Sequence, residues 1–268
     1  MLSRKRLTAF LALLLSTVAP SFSQNSEQVQ VGPPPMRRAD PPSLGASVQE
    51  LEDRGDELRS DKNYLDAIDY YEAAIRKSSD RPSLWNKIGI CQLQLHRLKE
   101  AKKSFDHAIK ADPKYSDAFN NLGVVYYETA NFGKAIKRYE KAIELNPSAA
   151  SYYSNLGAAY FSKKTFDKAA QSYGKALELD PDIFERISRA GVQAQLPSPE
   201  DRARFDYVLA KLYAKMGIAD RSLRYLRKAM EDGYKDIGDV YKDSEFAQLR
   251  KDPRFTELMA AKPPAITE

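Results

Sequence analysis

The chain is poor in the side chains that carry chemistry. Its 268 residues include two histidines, one cysteine and one tryptophan. His96 and His107 belong to no grouping with a nucleophile and an acid, and no spacing of His, Cys, Asp or Glu matches a metal site. Glycine-rich phosphate loops are missing as well. No catalytic residue, metal, cofactor or small-molecule substrate is therefore expected, and the chain reads as a non-enzyme. A single cysteine excludes an internal disulfide framework. Cys91 falls in line with Val125 and Ala159 on the apolar side of a helical pattern, which predicts a small packed hydrophobe.

Long hydrophobic runs are scarce too. The one strongly apolar run, Leu7 to Ala19, has 13 residues, short of the roughly 20 that a membrane-spanning helix needs. Arg4, Lys5 and Arg6 precede it and the small-residue site Ser21-Phe22-Ser23 follows. That three-part layout is the pattern of a secretory signal peptide over 1–23, cut after Ser23. It predicts an exported protein, periplasmic or secreted. The export segment also carries three of the five net positive charges, so the remainder is about +2 (5 minus 3). Its lysines alternate with acids along helix faces and form no basic patch, which argues against nucleic acid as a partner.

Residues 24–47 are proline-rich, with Gly32-Pro33-Pro34-Pro35 and Asp40-Pro41-Pro42. They read as a disordered, extended spacer. Beyond them a fixed period takes over. Leu122, Gly123, Tyr126, Ala135, Tyr139, Ala142 and Pro147 recur 34 residues later as Leu156, Gly157, Tyr160, Ala169, Tyr173, Ala176 and Pro181. One step back stand Ile88, Gly89, Ala101, Phe105, Ala108 and Pro113, and another step back Gly55, Ala67, Tyr71 and Ala74. Such a period means a stack of small units, none able to cover its own apolar face. Within a unit, Phe119, Leu122, Val125 and Tyr126 share one helical face, and Phe132, Ala135, Ile136, Tyr139, Ala142 and Ile143 share a second. Each unit is a helix pair, stopped by Asp112-Pro113, Asn146-Pro147 or Asp180-Pro181.

The order aromatic, Leu-Gly, Tyr, Ala, aromatic, Ala, Pro resembles the tetratricopeptide repeat, and the chain as a whole resembles exported bacterial members of that family. Four units fit at 48–81, 82–115, 116–149 and 150–183; Gln92 replaces the signature Tyr in the second, and Ser79 the Pro in the first. The resemblance implies an all-α fold: a right-handed α-solenoid of stacked antiparallel helix pairs with C-terminal capping helices. It also implies a protein–protein interaction scaffold or adaptor, monomeric in isolation, whose concave wall is lined by the first helix of each pair. The positions that face that wall are Asn86, Ile90, Leu93, Asn120, Asn121, Val124, Tyr127, Asn155, Ala158 and Phe161. Tyr127 and Phe161 are expected to touch a peptide or protein partner. Asn121 and Asn155 either grip a peptide backbone, since an amide both donates and accepts, or bond within the array. Ser151 and Asn155 occupy places where a carboxylate-binding array carries Lys or Arg, so that subtype is set aside. The alternative role is a structural subunit of a cell-envelope assembly, secretion or polysaccharide-export complex.

The period breaks after 183. Residues 184–202 read as an irregular connection, with Gly191 to Leu196 irregular or briefly extended, although Ser198-Pro199-Glu200-Asp201 has the look of a helix start. A degenerate fifth pair follows at 203–236, with Ala210 where Gly is expected. The tail, 237–268, presents Phe246, Leu249, Phe255 and Leu258 as anchors for a cap over the last pair.

Overall fold

A computed structural model describes residues 39–186 and 198–261. The export pattern of 1–23, the spacer up to 38 and the Gly191–Leu196 stretch lie outside the described residues. The described residues are helical, with no strands among them. Four pairs run in order: α1 (Val48–Ser60) with α2 (Tyr64–Lys77), α3 (Pro82–Gln94) with α4 (Leu98–Ala111), α5 (Ser116–Glu128) with α6 (Phe132–Leu145), and α7 (Ala150–Ser162) with α8 (Phe166–Leu179). Within each pair the helices pack along their length, and each second helix packs on the first helix of the next pair. The result is an α-solenoid.

The glycine of each unit sets the closeness of the pair. A Cβ added to Gly55, Gly89, Gly123 or Gly157 would lie 2.5 Å from a ring carbon of Tyr71, Phe105, Tyr139 or Tyr173 respectively. The ring of the second helix thus rests on the bare backbone of the first. In the fifth pair, α9 (Pro199–Lys215) with α10 (Ala219–Glu231), Ala210 takes the glycine place and the fully buried Leu226 stands where the ring would be. A smaller partner leaves room for the extra methyl.

The turn inside each pair is also repeated. Lys62, His96, Ala130 and Lys164 hold φ between 54° and 63°. In each case that residue and the next donate backward to the helix end, for example Ala130 N to Tyr127 O (2.8 Å) and Asn131 N to Tyr126 O (2.8 Å). This is the Schellman arrangement that satisfies the last carbonyls of a helix. Gly217 (φ 74°) does the same between α9 and α10. Between pairs, Asp112, Asn146 and Asp180 take extended backbone ahead of proline, and Ser78 adopts the same conformation (φ −148°, ψ 96°) although Ser79 follows it.

The start and end of the array differ from the expectation in detail. The far end of the proline-rich segment is held, with Tyr70 Oη donating to Asp40 O (3.0 Å) and Lys77 Nζ to Leu44 O (2.7 Å), so 39–46 lies against α2 rather than hanging free. Ser47 and Glu50 then close a capping box on α1. Ser198 accepts from Asp201 N and starts α9 inside the stretch read as irregular up to 202, because proline at the first helical position costs no hydrogen bond. After α10 come three short 3₁₀ turns, Ile237–Tyr241, Ser244–Phe246 and Leu249–Lys251, and α11 (Pro253–Ala261). Val240, Phe246, Leu249, Phe255 and Leu258 are buried here in one cluster with α9 and α10.

Candidate functional site

The wall expected from the resemblance is the face on which first helices of successive pairs sit side by side. Its polar contacts recur at a separation of 35 residues, one more than the sequence period. Lys87 Nζ meets Glu52 (2.8 Å), Asn121 Nδ2 donates to Asn86 Oδ1 (2.9 Å), Asn155 Nδ2 donates to Asn120 Oδ1 (2.8 Å), and Tyr127 Oη pairs with Ser162 Oγ (3.0 Å). Asn120 further donates to Asn121 (3.1 Å) and Asn86 to Tyr115 Oη (3.4 Å). The amides therefore form an unbroken chain from Asn155 through Asn120, Asn121 and Asn86 to Tyr115. Of the two uses left open for Asn121 and Asn155, the structure shows the internal one.

Burial corrects the expected groove further. Tyr127 and Phe161 are 0% and 1% exposed, and Asn155, Ala158, Asn86 and Asn120 are buried as well. Six of the ten wall positions are thus not open to a partner. The reason is geometric: each first helix is overlapped by the one after it. Tyr127 reaches Ser162 on α7 and packs on Phe132 at 5.3 Å between ring centroids; Phe161 lies under Phe205 of α9 at 6.0 Å. Truncating either ring to Ala therefore acts on folding, at about 3–5 kcal/mol, rather than on a contact surface. Ile90, Leu93, Asn121 and Val124 remain half-buried, so of the ten expected positions those still open lie on α3 and α5.

At the start of this wall Lys87 bridges Glu52 and Asp56, the latter at 2.6 Å, and Tyr71 Oη donates to Asp56 at 2.7 Å. Burial alone would raise the Asp56 carboxyl; the hydrogen bonds from Lys87 and Tyr71 hold it below its ordinary value. The amide chain of later units is replaced here by an ion pair in the same register.

Family models described as tetratricopeptide repeat match the chain at 58–120, 104–137 and 150–183, and one described as TPR repeat at 131–164. Residues 58–183 are tetratricopeptide repeats. Sperm-associated antigen 1 of Rattus norvegicus is 35% identical over 66 residues, which is 25% of this chain and 7% of that protein. The chain thus spans a small fraction of the curated relatives it matches. The structure of MamA 41-end from Desulfovibrio magneticus RS-1 matches with a TM-score of 0.50 at 18% identity, over 70% of this chain and 96% of that one. A thermophilic TPR protein of Thermus thermophilus, TTC0263, gives 0.49 at 22% identity, over 80% and 100%.

No group of three or more potential metal ligands occurs among the described residues of this tetratricopeptide array, and no helix among them is long and apolar enough to cross a membrane. His107 stacks on Trp85, ring centroids 4.6 Å apart, as packing between helices. Cys91 is fully buried and burial pushes its thiol up to about 12, so it is an inert core residue.

One feature of the TPR stack escaped the sequence. Between α8 and α9 the packing is looser than between the preceding pairs, and a cleft of about 1080 Å³ opens there. α9 touches α8 where Leu212 Cδ2 would lie 3.4 Å from a Cβ on Gly174. Arg204 sits in this cleft with its guanidinium 4.6 Å from the Phe166 ring centroid and 5.9 Å from that of Tyr234. The loss of period after 183 was the only signal of it in the sequence.

Proposed function

We propose that this chain is an exported, non-catalytic scaffold that holds a protein or peptide partner along the open part of its inner wall, on α3 and α5. One observation carries the reading: within the wall, Ile90, Leu93 and Val124 keep apolar surface in contact with solvent while the neighbouring amides are consumed by bonds between repeats. Half-buried apolar side chains on a rigid, pre-formed frame bind without a large ordering cost. Tetratricopeptide repeats over 58–183 support a scaffold, and the charged, apolar and small-residue segments of 1–23 support export.

The test pairs two substitutions at half-buried positions, Leu93→Ser and Val124→Ser. Partner recovered from the exporting compartment is expected to fall about tenfold or more, as for removal of a central apolar anchor, and more than the lowered thermal midpoint explains, since both side chains also pack on the core. Undiminished recovery would remove the inner wall from the account. The mass of the protein in that compartment reports on export, with Gln24 expected as its first residue.

A further inference from the structure

We propose that the cleft between α8 and α9 is a second docking site, which takes an acidic peptide segment through a carboxylate bound by Arg204. The guanidinium lies against the faces of Phe166 and Tyr234. A guanidinium over ring faces is held by cation–π attraction and keeps its N–H groups for hydrogen bonds, which can meet a carboxylate two-fold. Arg204 makes no hydrogen bond or ion pair among the described residues; its charge is felt by Asp201, whose carboxylate is held by Lys164.

The cleft is lined by five cations and five carboxylates, and its cations are the ones more often left without an ion pair. Lys211 is taken up by Asp243 (3.0 Å) and Glu245 (3.5 Å), Lys175 by Glu178 (3.0 Å), and Asp239 by Lys242 (3.1 Å). Lys168, Arg204 and Lys215 face it without an ion partner among the described residues, against Asp167 alone. Tyr153, Tyr160 and Val208 supply apolar lining beside them. A volume of about 1080 Å³ accommodates several residues of an extended chain. The occupant that fits is a peptide alternating Glu or Asp with apolar side chains. The site goes beyond the inner-wall reading and stands or falls separately from it.

The probe is a fluorescein-labelled peptide alternating Glu with Leu, compared with its Gln-for-Glu counterpart and with labelled oligothymidine, on the exported form of the full chain. The Glu peptide is expected to bind at least about tenfold more tightly than the Gln peptide, with the preference weakened by salt. Arg204→Ala and Lys215→Glu should each lower its affinity about tenfold. Lys215 is exposed, so Lys215→Glu tests the site without disturbing the fold should Arg204→Ala loosen α9. Arg204→Lys, which keeps the charge and loses the planar fork, should recover only part of the affinity. Leu93→Ser should leave the probe bound as before. Equal binding of Glu and Gln peptides, no binding of either, or an unchanged Lys215→Glu variant would overturn the proposal. Tighter binding of oligothymidine would reassign the cleft to nucleic acid, and loss of the probe on Leu93→Ser would move the acidic site to the inner wall; either result defeats it.

Discussion

Asn155 Nδ2 donates to Asn120 Oδ1 at 2.8 Å, and both side chains are buried between α5 and α7. Neither amide is available to an outside chain, and each satisfies a group the other would leave stranded. Asn155→Ala removes one partner and leaves the Asn120 oxygen desolvated, which costs about 1–3 kcal/mol. Asn121→Ala, half-buried and able to rehydrate, should cost less. Urea unfolding of the two variants, with matched slopes, checks the order.

Three tyrosines at the same place in their repeats should respond in opposite directions. Tyr71 Oη bonds to Asp56 and accepts from Arg59 Nε at 3.2 Å, whereas Tyr139 Oη and Tyr173 Oη are buried without a hydrogen-bond partner. Tyr71→Phe should destabilise by about 1 kcal/mol, while Tyr139→Phe and Tyr173→Phe should be neutral or stabilise by a similar amount, since they discard a desolvated hydroxyl. Denaturation midpoints of the three single variants decide it.

The left-handed turns offer gains. Ala130 holds φ 54° on an exposed turn, so Ala130→Gly should stabilise by about 0.5–1 kcal/mol, and Gly217→Ala at φ 74° should cost a comparable amount. Ser79 stands in the proline place after an extended Ser78 and its N–H makes no hydrogen bond among the described residues. Ser79→Pro should therefore add about 0.4–1 kcal/mol by restricting the unfolded chain. Thermal melts with these three substitutions, singly and combined, measure the increments.

Stability should also depend on pH through Asp206. Burial pushes this carboxyl up to about 7, with Asp232 adding to the rise and Lys228 and Arg202 opposing it. The folded state then binds a proton that the unfolded state has released, so stability falls as pH rises from about 4 to about 7. Asp206→Asn should flatten that slope and raise stability at pH 8 by about 1–3 kcal/mol. Chemical denaturation of the parent and variant across this range supplies the comparison.

What the sequence made legible was set by strict local rules. Gly123 and Tyr139 recur because a ring must lie on bare backbone, and Asn146-Pro147 recurs because proline dictates its neighbour's conformation, so both repeat at 34. The fate of Tyr127 and Phe161 was not legible. The period identifies equivalent residues, but which helix overlaps them depends on the tilt between successive pairs, and it appears only as the 35-residue contacts from Tyr127 to Ser162 and Asn120 to Asn155. Arg204 was missed for a related reason: its rings, Phe166 and Tyr234, come from elements on either side of the broken period.

The most direct measurement places a photo-crosslinking benzoylphenylalanine at position 93 on the inner wall and, in a second protein, at position 137 on the solvent face of α6. Irradiation in the compartment where the protein accumulates should join a partner to position 93 and leave position 137 unreacted. Crosslinks formed at 137 and absent at 93 would contradict an inner-wall scaffold and point to an array that is used through its outer face.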